Sequence, residues 1–261
     1  MKLAKIICLA NQKGGVGKST CTANIAHQFS VLNYRTLTID CDPQGNLTYG
    51  FGFNPNECTK TLYHLFTDDQ DYIDITIKDL IVPTKHANLD LIASNTGLEW
   101  ANRNDSRGGI NQIFKTALDS ITDDYDFIFI DTPPSLGRLT EAALASSDFV
   151  LIPIQCEYYA MVGMAMLLQA IALIKKRINP NLQIVGTFAN MYAKGQNVSK
   201  DIVGQIKNMF EQRAMKTVIP RSVRVTEAQN RGIPLEIYEK NSPIADAFRD
   251  WTVFFVYFQR N

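Results

Sequence analysis

Ten residues near the start of the chain have the types and spacing to hold a polyphosphate. They are Asn11-Gln12-Lys13-Gly14-Gly15-Val16-Gly17-Lys18-Ser19-Thr20, entered from the apolar run Ile6-Ile7-Cys8-Leu9-Ala10. Glycines let backbone N–H groups turn toward phosphate oxygens with no Cβ in the way. Lys18 brings a point charge for β- and γ-phosphates, and the Ser19 hydroxyl can ligate Mg2+. The helix opened by the loop adds the positive end of its dipole. The ordinary pattern G-x-x-x-x-G-K-[ST] wants glycine five residues before Gly17, and position 12 is Gln. A second lysine, Lys13, stands inside the loop instead. Lys18 already serves the β/γ-phosphates. Lys13 is therefore either a solvated loop charge or one that meets phosphate from outside the loop, most simply from a second subunit.

These groups need a scaffold, and the hydrophobic pattern supplies one. Residues 5–10 form a nearly continuous apolar run of the sort buried on both faces of a parallel sheet. A helix is expected from about Lys18 to Val31, with Ala23, Ile25, Ala26, Phe29 and Leu32 on its apolar side and Asn33 closing it. Residues 35–39 form the next strand and deliver Asp40 and Asp42 to its carboxyl end, where ligand sites of open α/β sheets lie. Between residues 46 and 87 the signal is weak: Phe51, Phe53 and Pro55 suggest a loop, and 61–66 and 75–80 read as short helix or strand pieces. Residues 89–93 are a strand, followed by Trp100 as a core or interface aromatic, a polar loop over 103–109 and a helix over 109–121.

Phe127–Asp131 is the strongest strand after the first, and its terminal Asp131 has the form of a Walker B carboxylate that holds Mg2+ through water. Thr132-Pro133-Pro134 breaks it. Residues 149–154 are a strand, and 159–177 a long helix whose Met161, Met164 and Met166 read as core or interface packing. Residues 182–191 are a strand and 198–213 an amphipathic helix, with Val198, Ile202, Val203, Ile206, Met209 and Phe210 on one side and Lys200 and Lys207 opposite. Residues 244–258 carry Phe248, Trp251, Phe254, Phe255 and Phe258 and read as a helix docking on the sheet or on a dimer partner. Alternating strands and helices give an α/β fold with a doubly wound, mainly parallel sheet flanked by helices.

Composition bounds the answer. A chain of 261 residues that is 46% hydrophobic can bury one substantial core, so one α/β domain over 1–261 is expected. The net charge is zero, but residues 175 to 231 hold eleven Lys/Arg against three acidic residues. That net of +8, balanced by −8 elsewhere, points to a basic face in the C-terminal part. The five cysteines (Cys8, Cys21, Cys41, Cys58 and Cys156) form no C-x-x-C pair and no ligand spacing with histidine. They fit buried free thiols in a reducing cytosol. His64 and His86 have no partner at metal-ligand spacing. With no signal h-region and no long apolar run, a cytoplasmic, soluble protein is expected.

Residues 13–19 resemble the deviant Walker A motif of the ParA/MinD family of P-loop ATPases. Four further stretches are similar to the ParA (Soj-like) branch: Asp40-Cys41-Asp42-Pro43-Gln44-Gly45-Asn46, Asp131-Thr132-Pro133-Pro134-Ser135, Pro153-Ile154-Gln155-Cys156-Glu157-Tyr158-Tyr159-Ala160 and Ile219-Pro220-Arg221-Ser222-Val223-Arg224. They occur in the family's order and cover nearly the whole chain, without a helix-turn-helix ahead of the ATPase domain.

The resemblance implies an ATPase using ATP and Mg2+, with Gly14, Gly15, Val16, Gly17, Lys18, Ser19 and Thr20 on the phosphates. Ser19 and the Asp131 shell would hold the metal, supported by Asp40, and Asp42 would orient the attacking water. Lys13 would cross the interface of an ATP-sandwich homodimer to the partner's phosphates. Asn190 and Pro220-Arg221 would lie around the adenine, although Lys194 stands where relatives often carry Asp-x-Arg. It further implies non-specific double-stranded DNA binding by the dimer, for which Lys194, Lys200, Lys207, Lys216, Arg221, Arg224 and Arg231 are the candidates. A ParB-like partner would stimulate slow hydrolysis, and a nucleoid-associated role in segregating a plasmid, a chromosome origin or a protein cargo would follow.

Three rival readings share parts of the pattern. A MinD-like membrane-associated positioning ATPase wants a basic amphipathic C-terminal helix, and residues 244–261 offer only Arg249 and Arg260 against Asp246 and Asp250, so no membrane partner is expected. An electron-transfer reductase like the nitrogenase iron protein wants cluster cysteines, and none stands near Asp131-Thr132-Pro133-Pro134. A regulatory protein that binds ATP without hydrolysing it is opposed by the presence of Lys18, Asp42 and Asp131 together.

Overall fold

A computed structural model describes residues 3–104, 109–158, 160–161 and 163–258, with the side chains of Tyr257 and Phe258 excluded. In chain order β1 (Lys5–Leu9) leads through α1 (Lys18–Val31) to β2 (Thr36–Asp40). The short α2 (Asn46–Gly50) and α3 (Tyr63–Phe66) precede β3 (Ile81–Pro83) and β4 (Leu89–Ile92). Then come α4 (Leu98–Arg103), α5 (Ile110–Asp119), β5 (Phe127–Asp131), α6 (Arg138–Ser146) and β6 (Phe149–Gln155). The chain continues through α7 (Met164–Arg177), β7 (Gln183–Asn190), α8 (Asn197–Phe210), α9 (Val223–Asn230), α10 (Leu235–Tyr238) and α11 (Pro243–Phe258). The strands form one seven-stranded sheet in the order β3-β4-β2-β5-β1-β6-β7, parallel except for β3, which pairs antiparallel with β4 at the edge.

The expected doubly wound sheet is what forms, and the strands show why their sequences run apolar without alternation. In β1, Ile6 and Cys8 enter one core while Ile7 and Leu9 enter the other; in β5, Ile128 and Ile130 part from Phe127 and Phe129 in the same way. Helices α5 to α8 cover the first core, and α1, α2 and α9 to α11 cover the second. Every residue of the central strands β2 and β5 is therefore buried whichever way it points.

The second core centres on Phe29 of α1. Its ring lies 4.4 Å from Phe127, 5.2 Å from Phe129 and 5.8 Å from Phe255, and Trp251 stacks on Phe255 at 5.5 Å. The C-terminal helix thus docks on α1 and the sheet, as its aromatic content predicts. Asn33 closes α1 in the left-handed conformation (φ 64°). The Tyr34 N–H bonds Phe29 O at 3.1 Å and the Asn33 N–H bonds Ser30 O at 2.9 Å, the paired bonds of a Schellman cap.

Several expectations need correction. The 159–177 helix starts at Met164, and Tyr159 lies outside the described residues. Of its methionines Met164 is buried but Met166 is half exposed. The 198–213 helix ends at Phe210, because Glu211 takes a positive φ of 49° and starts a 3-10 turn; Met209 faces outward. Trp100 is not a core residue: it is 38% exposed, edge-on to Tyr63. The 75–80 piece is a 3-10 turn over Ile77–Leu80 that feeds β3. Most of the proposed 103–109 loop, and the side chain of Phe258, fall outside the described residues. All five cysteines are free, and Cys58 alone among them is half-buried. No helix of the described residues is long and apolar enough to cross a membrane.

Candidate functional site

β1 lies between β5 and β6, so its carboxyl end opens where the chain departs to both sides of the sheet. The glycine-rich loop occupies that end. Gly17 sits at φ 85°, and a Cβ there would meet Asn190 Nδ2 at 2.5 Å, so both conformation and space demand glycine. Neighbouring strands clamp the loop. Asn11 Nδ2 donates to Pro153 O at 2.7 Å, Asn190 Nδ2 to Val16 O at 2.7 Å and Thr132 Oγ1 to Leu9 O at 2.7 Å. The sequence reading takes Asn11 only as part of the loop and Thr132 only as the end of a strand; an amide just past an apolar strand, and a hydroxyl just past an acid, are the available signals of their clamping role.

A cavity of about 320 Å3 opens over the loop, with Gly14, Gly17, Lys18, Ser19, Asp42 and Gln229 in its wall. Thr20, Gly17, Met191 and Gln229 also line a second cavity of about 200 Å3, which runs on toward Pro220, Arg221, Thr226 and Phe248. The two form one groove, with the glycine loop and Lys18 at one end and the apolar side chains Ile219, Val225, Ile244 and Phe248 among those at the other. Asn190 lines the apolar end, but its amide is already engaged: Nδ2 holds Val16 O and Oδ1 accepts from Met191 N at 2.9 Å. Val16 is buried under the loop rather than facing the cavity.

Sheet register brings the acids together. Asp40 ends β2 and Asp131 ends β5, and the two are direct register partners on adjacent parallel strands. Both are fully buried. Burial pushes the Asp40 carboxyl up to about 7, against the hydrogen bonds it accepts from Thr48 and Asp42. Burial, then the Asp40 charge, push Asp131 well above the usual carboxylate range, with the Ser19 hydroxyl and the Lys18 ammonium countering. Lys18 is 6% exposed; burial pulls its ammonium down while Asp131 and Asp42 hold it up. Asp131 Oδ1 lies at a long 3.5 Å from Thr22 Oγ1, whose proton has a closer acceptor in Lys18 O at 3.0 Å, and Asp131 Oδ2 is buried with no hydrogen-bond partner among the described residues. Such a centre is short of positive charge. Among the described residues no three side chains converge as a complete metal cage, so a divalent cation beside Ser19 would complete its shell with phosphate oxygens and water.

Lys13 points elsewhere. Its Nζ makes a 3.1 Å ion pair with Glu157 Oε2, both side chains being partly exposed, and it does not line the phosphate cavity. The basic candidates are spread around the β7 edge rather than gathered on one helix. Lys200 and Lys207 stand on the exposed side of α8, Arg224 in the first turn of α9 and Arg231 at its carboxyl end lie on the other face of the sheet, and Lys194, Lys216 and Arg221 lie on the segments that bridge to β7 and to one another. Arg224 is occupied by Glu227 at 2.9 Å, and Arg231 lies 5.0 Å over the Tyr238 ring. Among the described residues no ion pair holds Lys194, Lys200, Lys207, Lys216 or Arg221.

Residues 4–184 match a family model described as an AAA domain. The chain is 39% identical over 249 residues to the sporulation initiation inhibitor protein Soj of Bacillus subtilis, covering 95% of this chain and 96% of that one. It is 35% identical over 249 residues to the chromosome partitioning protein ParA of Myxococcus xanthus, covering 94% and 86%. Among solved structures it resembles the cobyrinic acid a,c-diamide synthase of Mycobacterium smegmatis with bound ADP and magnesium. That match has a TM-score of 0.85 at 27% identity and covers 99% of this chain and 96% of the other.

Proposed function

The chain belongs to the Soj/ParA family of P-loop ATPases, and from that membership we propose an ATP-dependent dimeric switch that binds DNA without sequence preference and partitions or positions a cargo. The observation that carries the reading is the separation of the two loop lysines. Lys18 is buried in the phosphate cavity; Lys13 lies outside it, on Glu157. A lysine that cannot serve its own nucleotide from that position is available to a partner's.

The roles follow from placement. The loop N–H groups and Lys18 bind the β- and γ-phosphates and neutralise the charge that spreads over the transferred group. Ser19 and Asp131, supported by Asp40, would hold Mg2+ with its water, and the cation would supply the positive charge that this carboxylate pair lacks. Asp42 faces the cavity with Oδ1 accepting from Gln44 N at 3.0 Å, in position to orient a water for in-line attack. Pro220, Arg221 and Met191 enclose the base, with Thr226 and Gln229 of α9 added to the expected set and Asn190 bracing the loop from below. Lys13 reaches the partner's phosphates once dimerisation draws it off Glu157. The exposed lysines around β7, doubled in the dimer, form a surface for phosphate backbone. A ParB-like protein and DNA stimulate hydrolysis, which dissolves the dimer; the protein is a single ATPase unit acting in the cytoplasm on the nucleoid.

The test is DNA binding with ATP, with ADP and without nucleotide, for the wild type and Asp42→Ala. The expected pattern is retention with ATP alone, loss on added salt, and persistent retention for Asp42→Ala. Indifference to DNA in every state, with ATP-dependent retention on anionic vesicles, would replace this reading with membrane positioning.

A further inference from the structure

Two buried hydroxyls that face neither cavity close a ring around the Asp40–Asp42 turn. Thr48, in the short α2, donates its N–H to Asp40 Oδ2 at 2.8 Å and its Oγ1 proton to the same oxygen at 2.7 Å. Ser94, just past β4, donates its N–H to Thr48 Oγ1 at 3.0 Å and its own hydroxyl proton to the Asp42 carbonyl at 2.6 Å. The Asp42 N–H returns to Asp40 Oδ1 at 3.1 Å and completes the circuit. Thr48, Ser94 and Asp40 are 0% exposed, so no solvent competes for these bonds.

With Asp40 ionised, the direction of every proton in the ring is fixed. A backbone N–H only donates, so Thr48 Oγ1 accepts from Ser94 and must send its own proton to Asp40. A backbone carbonyl only accepts, so the Ser94 hydroxyl must donate to Asp42. The consequence is a one-way clamp: both oxygens of Asp40 are held as acceptors, and the Asp42 backbone is tied at its N–H and at its carbonyl. The Asp42 side chain faces the cavity, its Oδ1 accepting from Gln44 N at 3.0 Å. We propose that Thr48 and Ser94 are positioning residues that set Asp40 against Asp131 and aim Asp42 at the attacking water. The proposal rests on the roles assigned to Asp40 and Asp42 above. Hydroxyl partners of this kind, when removed, cost metal sites about 10- to 100-fold in affinity or activity.

The experiment compares wild type, Thr48→Val, Thr48→Ser and Ser94→Ala in two assays. One is steady-state ATP hydrolysis; the other is Mg2+ titration of thermal stability at saturating ADP. For Thr48→Val, the expected result is a kcat lowered about tenfold or more and a Mg2+ midpoint raised about tenfold, with KM for ATP within about twofold. Thr48→Ser restores both values. Ser94→Ala lowers kcat in the same range while moving the Mg2+ midpoint less, because it releases Asp42 rather than Asp40. The proposal is overturned if Thr48→Val keeps the wild-type kcat and Mg2+ midpoint, or if Thr48→Ser is as impaired as Thr48→Val, which would make the methyl group the important part. Should Thr48→Val not fold, Thr48→Ser and Ser94→Ala decide alone: wild-type kcat for Ser94→Ala overturns it. A wild type that shows no Mg2+-dependent hydrolysis would instead remove the assignment of the acids themselves.

Discussion

At the scale of the residue, the acid cluster is held at a cost to the empty protein. A carboxyl whose folded pKa is raised contributes stability that is complete below the usual carboxylate range and is lost as pH rises through the folded value, about 7 for Asp40. His27 runs the other way. Burial, then His86, hold it near 4, so its penalty grows only as pH falls below the ordinary histidine range. Between pH 8 and 6.5 the acids therefore decide. Nucleotide-free protein should gain about 1 kcal/mol in urea unfolding over that interval. Asp131→Asn should flatten the gain, raise stability at pH 8 and abolish the stabilisation that Mg2+ with ADP gives the wild type; an unchanged pH slope would contradict the cluster. The Lys13–Glu157 pair is partly exposed and contributes under about 1 kcal/mol, weak enough to exchange for a partner's phosphates. Glu157→Gln should lower the ATP concentration for half-maximal dimerisation, read by light scattering, by about two- to fivefold. Lys13→Gln should prevent dimerisation.

At the scale of the element, α11 is the second core's lid and α2 the site's brace. Phe255 is fully buried and its ring lies within 6.0 Å of Phe29, Phe127, Phe149 and Trp251. Phe255→Ala should cost about 3–5 kcal/mol in urea unfolding, and a loss under about 1 kcal/mol would mean that α11 does not dock. Arg249 pairs with Asp246 one turn back on this helix and with the buried Glu236 of α10, and Glu236 accepts from Gln28 of α1 at 3.1 Å, so α11 is tied to α1 through α10 as well as by rings. At α2's end the backbones of Gly52 and Gly232 touch: a Cβ on Gly232 would sit 2.3 Å from Gly52 Cα. That contact joins the element holding Asp40 to α9, which lines the base end of the groove.

At the scale of the whole molecule, zero net charge conceals a division of labour. Acids converge inside the sheet's carboxyl edge, and lysines that no ion pair holds among the described residues stay outside around β7. If that surface meets DNA phosphates, log affinity should fall linearly with log salt, and Lys207→Ala should reduce the slope by about two per dimer without changing sequence preference. The ion-paired Arg224 should change it less. Equal slopes for wild type and Lys207→Ala would place the contact elsewhere.

What the sequence determined by itself was what local chemistry and period dictate. The phosphate loop needs only contiguous residues, and doubly buried strands announce themselves as unbroken apolar runs; α1, its Asn33 cap and Phe127–Asp131 were legible for the same reason. Short helices were not. In α9 a single residue, Ala228, is buried, and α6 is alanine-rich behind two prolines, so neither leaves a periodic apolar face to read. Tertiary structure alone decided the partners. That Asp40 faces Asp131, that Ser94 reaches back to Asp42 and that Glu157 holds Lys13 are matters of strand register and loop packing between residues far apart in the chain. One-dimensional spacing carries no record of them, because burial and hydrogen bonding are settled by which strand lies beside which.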